Sequence, residues 1–261
     1  MAFMHTNFKN FSVHTYTAPE TGYLVNNSQI IETEKNLIFI DTQFLIKSAE
    51  EIFNFAKKIG KPIARIIVTH AHPDHWFGNS IFSDFDIFAL PQVKKNMEKD
   101  AVTAFERNKP HLGDLIGDKA VLPNKILEKN FSIDGVDFKI FEIKNTEANL
   151  IALIEIEKEK ILFASDLAYG KIHLYIAENH IENWIKELKN LRQKNYKYVF
   201  AGHGAENSPK ILEQTEKYLE CADDEIKNSK TFEEFEKKML KNFPDYDGKT
   251  LLHANGMFLT F

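Results

Sequence analysis

The sequence predicts an α+β protein in which β-sheets are sandwiched between layers of helices. Three observations carry that reading. Short apolar strands recur in blocks, amphipathic helices separate the blocks, and the C-terminal third is helical with well-marked helix starts. At 261 residues the chain is long enough to bury a substantial core in a single domain spanning 1–261, with its core over about 11–205 and a helical extension over about 208–261.

The early strands are Phe11 to Thr17, Gln29 to Glu32 and Asn36 to Asp41, the last an apolar run ending in a carboxylate. Ile46, Ala49, Ile52, Phe53, Ala56 and Ile59 recur at the spacing of one buried helix face, and Gly60 stops that helix. Ile63 to Val68 is continuously apolar and reads as a strand buried on both sides. A strand at Asp86 to Leu90 and a helix from Pro91 to about Arg107 follow, then a polar surface excursion holding Pro110, Gly113, Gly117 and Pro123. Asp134-Gly135 joins the strands Phe131 to Asp134 and Val136 to Ile143 as a tight hairpin. Strands Leu150 to Ile156 and Lys160 to Ala164 lead to Ser165-Asp166, and a helix from Ile181 to Gln193 leads to the strand Tyr198 to Ala201. Ser208-Pro209 and Thr231-Phe232-Glu233-Glu234 mark helix starts, the second as a capping box. Phe232, Phe235, Met239 and Phe243 then share one side, a face that covers the sandwich or forms a dimer contact.

With a net charge of −5 the chain has no basic stripe for a phosphate backbone, so nucleic acid is not an expected partner. No run of 18 apolar residues exists to cross a membrane, and the N-terminus lacks the basic and apolar regions of a secretory signal. The expectation is a cytoplasmic protein, periplasmic only if a leader has been removed, acting on a small-molecule substrate as a monomer or homodimer. Cys221 stands alone, which excludes an internal disulfide.

His70-x-His72-x-Asp74-His75 packs four metal-ligating side chains into six residues at the end of the Ile63 to Val68 strand. Alternate side chains of an extended segment point the same way, so His70 and His72 can converge on one ion while Asp74 and His75, after a turn, face a second. Neither ion is complete with these four. Glu147, Asp166 and His203 all lie at or just beyond strand ends, and together with the seed they complete two ligand sets.

The segments His70-Ala71-His72-Pro73-Asp74-His75, Lys160 to Asp166 and Ala201-Gly202-His203-Gly204 resemble the metallo-β-lactamase superfamily, over residues 20 to 205. The resemblance implies an αββα sandwich with its site along strand ends at one edge. It also implies that Asp74, His75 and His203 hold one metal and that Asp166 bridges to another held by His70, His72 and a third ligand. The family's usual Gly-His-Thr at that third position is replaced by Asn145-Thr146-Glu147-Ala148-Asn149. Either Asn145 or Glu147 can stand there. Glu147 precedes Asp166 by 19 residues, the spacing of compact members, and Thr-Glu-Ala resembles the alkylsulfatase branch, so Glu147 is the expected ligand.

The implied activity is hydrolysis of an ester, lactone, amide, phosphoester or sulfate ester by a two-metal-activated hydroxide, with Zn²⁺ expected and Mn²⁺ or Fe²⁺ compatible with the harder Glu147 site. Asp74 is the expected catalytic group that orients the nucleophile or takes its proton. Tyr23, Trp76, Tyr169, Lys171 and His173 are the candidate substrate contacts, Tyr23 because it ends a segment placed like a mobile flap. Tyr169 stands where zinc β-lactamases carry a Lys for the drug carboxylate, which lowers the expectation of β-lactam turnover. Two rival readings are iron-dependent redox chemistry of the persulfide-dioxygenase or flavodiiron type and a non-catalytic metal- or partner-binding module. His72 argues against the flavodiiron form, which resembles His-x-Glu-x-Asp-His.

Overall fold

The structure is a computed structural model that describes residues 3–19 and 24–261. The first sheet takes β1 (Phe3–Asn7), β2 (Ser12–Thr17), β3 (Asn27–Glu32), β4 (Leu37–Ile40), β5 (Ile63–Ile67), β6 (Ile87–Ala89) and β7 (Lys125–Ile126), in that spatial order. It is antiparallel up to β4 and parallel from there. The second sheet comprises β8 (Asn130–Ile133), β9 (Val136–Lys144), β10 (Leu150–Ile156), β11 (Ile161–Tyr169) and β12 (Tyr198–His203), ordered β12-β11-β10-β9-β8, and only β11 and β12 run parallel.

Parallel neighbours need crossovers, and the helices supply them. Helix α1 (Ile46–Ile59) joins β4 to β5, α2 (Pro91–Leu112) lies between β6 and β7, and α3 (Ile181–Arg192) joins β11 to β12. The architecture is the αββα sandwich the sequence implies, with one core between the sheets and under α1 and α2, and a second between β10 to β12 and the later helices. Because β4, β5, β11 and β12 are parallel within their sheets, their C-terminal ends bring the ligand-bearing residues together at one edge.

Helix α1 has the expected bounds, buries Ala49, Ile52 and Ala56, and ends where left-handed Gly60 (φ 77°) donates to the Ala56 carbonyl. The Asp134-Gly135 hairpin pairs Ile133 with Val136. Four details differ from expectation. Strand β1 pairs Phe3 with Tyr16, held by Phe3 stacking on Phe55 at 4.1 Å, a long-range contact with no local signal. Ile63, Ala64 and Arg65 of β5 are only half-buried, because Arg65 lies over the Phe88 and Phe131 rings and reaches Glu128. Helix α2 runs through Pro110 to Leu112, since Gly113 N–H still reaches the Lys109 carbonyl. Strand β11 continues past Ala164 through left-handed Ser165 (φ 46°), with a register shift against β12. Such an irregularity re-aims the next side chain, here Asp166.

Helices α4 (Lys210–Lys227), α5 (Phe232–Asn242) and α6 (Lys249–Ala254) complete the chain. Thr231 caps α5 by accepting from Glu234 N, and Phe235 and Met239 are fully buried in the second core, so the extension covers the sandwich. No helix among the described residues is long and apolar enough to cross a membrane.

Candidate metal centre

Beyond β5 the chain bends at His70 and Ala71 and returns to an extended backbone at His72, which sets the His70 and His72 rings 4.8 Å apart, and Pro73 then starts a one-turn 3-10 helix over Pro73–His75. That turn carries Asp74 and His75 round to the far side of the motif. The second sheet holds the segment from below: Ala152 N donates to the Thr69 carbonyl at 2.9 Å.

Two four-residue groups result. His70, His72, Glu147 and Asp166 offer ligand atoms that all lie within 4.8 Å of one another, and so do Asp74, His75, Asp166 and His203. Asp166 belongs to both. In the first group His72 Nδ1 is 2.9 Å from Glu147 Oε1, and His70 Nε2 is 3.6 Å from Glu147 Oε2 and 3.8 Å from Asp166 Oδ2. In the second, His75 Nε2 is 3.1 Å from Asp166 Oδ1, while His203 Nε2 lies 3.1 Å from Asp166 Oδ2 and 3.3 Å from Asp74 Oδ2. A tight turn, in which Asn145 N bonds Asn149 O and Thr146 N bonds Ala148 O, sends Glu147 inward and leaves Asn145 exposed, so geometry brings Glu147 and not Asn145 to the first group.

A supporting layer fixes the rings. Asp41, at the end of β4, accepts from Thr69 N and Thr69 Oγ1 and sits 2.8 Å from His75 Nδ1. His75 thereby presents Nε2 to the cluster. Thr69 Oγ1 is also 3.0 Å from His70 Nδ1, which fixes that ring the same way. Amides at the start of β3 lash the ligand loops of both sheets together: Asn26, just before the strand, donates through Nδ2 to the Asp74 carbonyl, and Asn27 Nδ2 donates to the Ala201 and Gly204 carbonyls. Asp41 was not among the sequence candidates. Its signal was the carboxylate that ends an apolar strand beside the one bearing the motif.

Four inward-facing atoms, His70 Nε2, His75 Nε2, Glu147 Oε2 and Asp166 Oδ1, are buried without an aligned hydrogen bond among the described residues. Orphaned lone pairs of this kind are costly unless a ligand satisfies them. Imidazole nitrogens mixed with carboxylates are a donor set for Zn²⁺, Mn²⁺ or Fe²⁺, so the residues fit divalent cations. The proton affinities agree. Desolvation pushes the Glu147 carboxyl up to about 7 and His70 well below the usual imidazole value. Desolvation also opposes charge on His203, yet Asp166 and Asp74 raise it to about 9; against the same desolvation Asp166 leaves His75, and Glu147 leaves His72, well above their usual value. Asp74 and Asp166, although desolvated, are held below the carboxylate range by His75 and His203. Protons here occupy places cations would take.

A small cavity of about 160 Å³ opens over both groups. Tyr169 lines it, stacked on His203 at 4.6 Å with its hydroxyl donating to Asp166 Oδ2 at 3.1 Å. Three other candidate contacts lie elsewhere. Trp76 is fully buried and donates to the Ala71 carbonyl, Lys171 is exposed and off the cavity, and His173 is buried against Tyr218. Docking of the C-terminal segment on residues 171–176 turns these last two side chains away. Tyr23 falls outside the described residues. The cavity takes instead Leu24, Tyr175, Leu251 and Ala254, none of which a local motif marks.

The model of the metallo-beta-lactamase superfamily matches residues 22–203. A metallo-beta-lactamase type 2 of Bacillus sp. (strain 170) is 26% identical over 214 residues, covering 79% of this chain and 78% of that one. An alkyl/aryl-sulfatase of Saccharomyces cerevisiae is 28% identical over 193 residues, covering 59% of this chain but 30% of its own length. Among solved structures, a metallo-beta-lactamase from Pontibacter korlensis superposes with a TM-score of 0.67 at 17% identity, covering 84% of this chain and 99% of that one. The last likeness is one of fold.

Proposed function

The chain belongs to the metallo-β-lactamase superfamily, and from that premise we propose that it is a binuclear metal-dependent hydrolase of a small-molecule ester, lactone, amide, phosphoester or sulfate ester. The observation that carries the reading is that Asp166 is shared by two complete four-residue groups. His70, His72 and Glu147 would hold one ion and Asp74, His75 and His203 the other, with Asp166 available to both. A pair of divalent ions, Zn²⁺ first with Mn²⁺ or Fe²⁺ compatible, supplies acidified water and polarises the substrate oxygen. Three carboxylates offset most of the added positive charge in this desolvated place.

The protein's own groups do the rest. Asp74 lines the cavity and its Oδ2 faces His75 and His203 at 3.3 Å each, so it is placed to orient an entering water and take its proton. Tyr169 Oη keeps its proton, since desolvation and Asp166 raise its pKa well above the usual phenol value, and it donates a hydrogen bond beside the reacting centre. Leu24, Leu251 and Tyr175 give the cavity an apolar rim. Among the described lining residues there is no Lys or Arg, so we expect weak β-lactam turnover for want of a carboxylate partner.

The test combines metal analysis of the purified protein with a chromogenic panel of lactone, phosphodiester, sulfate ester and β-lactam. Two metal equivalents per chain and turnover of at least one non-β-lactam substrate are expected. Iron with oxygen consumption and no hydrolysis would sink the reading.

A further inference from the structure

We infer that α6 is the selectivity wall of the metal centre and that it admits a compact, uncharged apolar group of the substrate, an acyl or alkyl chain of about three carbons. The inference rests on the hydrolase reading for the reacting bond alone. What it adds is the chemistry of the group beside that bond.

The wall belongs to this chain's own extension, since α6 lies beyond residue 203, where the family match ends. Leu251 and Ala254 face the same cavity as Glu147, Asp166 and His203. The helix is held hard against the rim. Asp247 bridges to Ile172, with Asp247 N donating to Lys171 O at 3.0 Å and His173 N to Asp247 O at 2.9 Å. Gly248, at φ +75°, then turns the chain where a Cβ would lie 2.4 Å from Ile172 Cγ2. At the other end, Asn255 is fully buried; its Nδ2 donates to Leu174 O at 2.9 Å and its Oδ1 accepts from Ile176 N at 2.7 Å. The loop between these anchors carries Tyr175 into the cavity. Wall and loop are therefore one clamped unit, with little freedom to widen.

Size and charge set the preference. A cavity of 160 Å³ is below the range of roughly 300–1,000 Å³ that holds a whole drug-sized ligand. At roughly 30 Å³ per water-sized group it has room for about five, and the reacting head at the ions takes about two of them. Leu24, Pro73, Tyr175, Leu251 and Ala254 form its apolar side, and a charge placed against α6 would lose its hydration with no cation there to compensate; Lys99 and Arg107 line a separate groove that meets the cavity at His72, Pro73 and Tyr175.

The experiment measures binding of straight-chain carboxylates from acetate to octanoate to the metal-loaded full chain by calorimetry, a readout independent of turnover. For the wild type, affinity should rise about fourfold per added carbon to an optimum near three chain carbons and then fall. Ala254→Phe, at a half-buried rim position, should shorten the optimum by about two carbons with metal content unchanged, and Leu251→Ala should lengthen it. Leu251 is buried, so should that variant not fold, Ala254→Phe decides alone. A profile unmoved by Ala254→Phe with both metals retained overturns the wall, and so does a loaded wild type that binds none of the carboxylates. A profile that shifts as stated while no panel substrate is hydrolysed leaves the wall standing and removes the hydrolase reading instead.

Discussion

Loading the metal centre should expel between three and four protons per chain at pH 7. In the cation-free protein His72, His75 and His203 are all raised above neutrality, His203 to about 9, and each must surrender a proton to present a lone pair. Glu147, at about 7, gives up roughly half a proton more. Asp74 and Asp166 are already ionised and His70 already neutral, so they contribute none. Displacing the His203 proton alone costs about 3 kcal/mol at pH 7, from two pH units at 1.36 kcal/mol each. Apparent affinity for the metal pair should therefore climb about a thousandfold or more per pH unit near neutrality, with the share due to His203 levelling off above pH 9. Calorimetric titration of Zn²⁺ into the stripped protein, in buffers of different ionisation enthalpy, counts the protons directly. Ionisation of a bound water adds one at most, so a count of one or fewer would refute the scheme in which these histidines and Glu147 surround the cations.

Other variants probe the frame. Gly202→Ala would place a Cβ 1.9 Å from Asp166 Oδ1 and 2.6 Å from the Ser165 carbonyl carbon, so the shared carboxylate must move and both ions should be lost; two equivalents of metal in a folded variant would contradict this. Asp41→Asn removes the anion that orients His75 and should weaken metal binding about 10–100-fold in chelator competition. Glu147→Ala should lose one ion while Asn145→Ala keeps both. His173 is neutral when buried: desolvation first, then Lys249, lowers its pKa to about 4, and Asp247 only partly opposes them. The unfolded chain then binds the extra proton below pH 6.5, so stability falls as pH drops from 6.5 towards 4. Urea unfolding at pH 7 and pH 5 should show about 1–2 kcal/mol more loss for the wild type than for His173→Gln.

How far these residues could be read from sequence depends on how each reaches the site. His70, His72, Asp74 and His75 share six residues at a strand end, so spacing alone predicts their convergence. Asp166 and His203 are legible for a related reason: each follows a short apolar run in the sequence, and parallel pairing of β11, which itself runs on to Tyr169, with β12 brings both to one edge. Glu147 is harder, because the left-handed Asn145 (φ 52°) decides which of two neighbours turns inward, and Asn takes that conformation without a distinctive signature. Asp41 had a signal of the same kind as Asp166 but lacked a motif of its own.

The cavity wall is different in kind. Leu251, Ala254 and Tyr175 meet through Asn255 and Leu174, 81 residues apart in the chain, and nothing within either segment announces the other. The same docking turns Lys171 and His173 away from the cavity that their closeness to Asp166 in sequence suggested. Water-activating chemistry thus sits on strand ends fixed by sheet topology, whereas the surface that selects among substrates is built by an extension packed on a loop. Two chains can share every ligand of this centre and differ in that extension alone, and the physical expectation is then the same nucleophile with a different substrate.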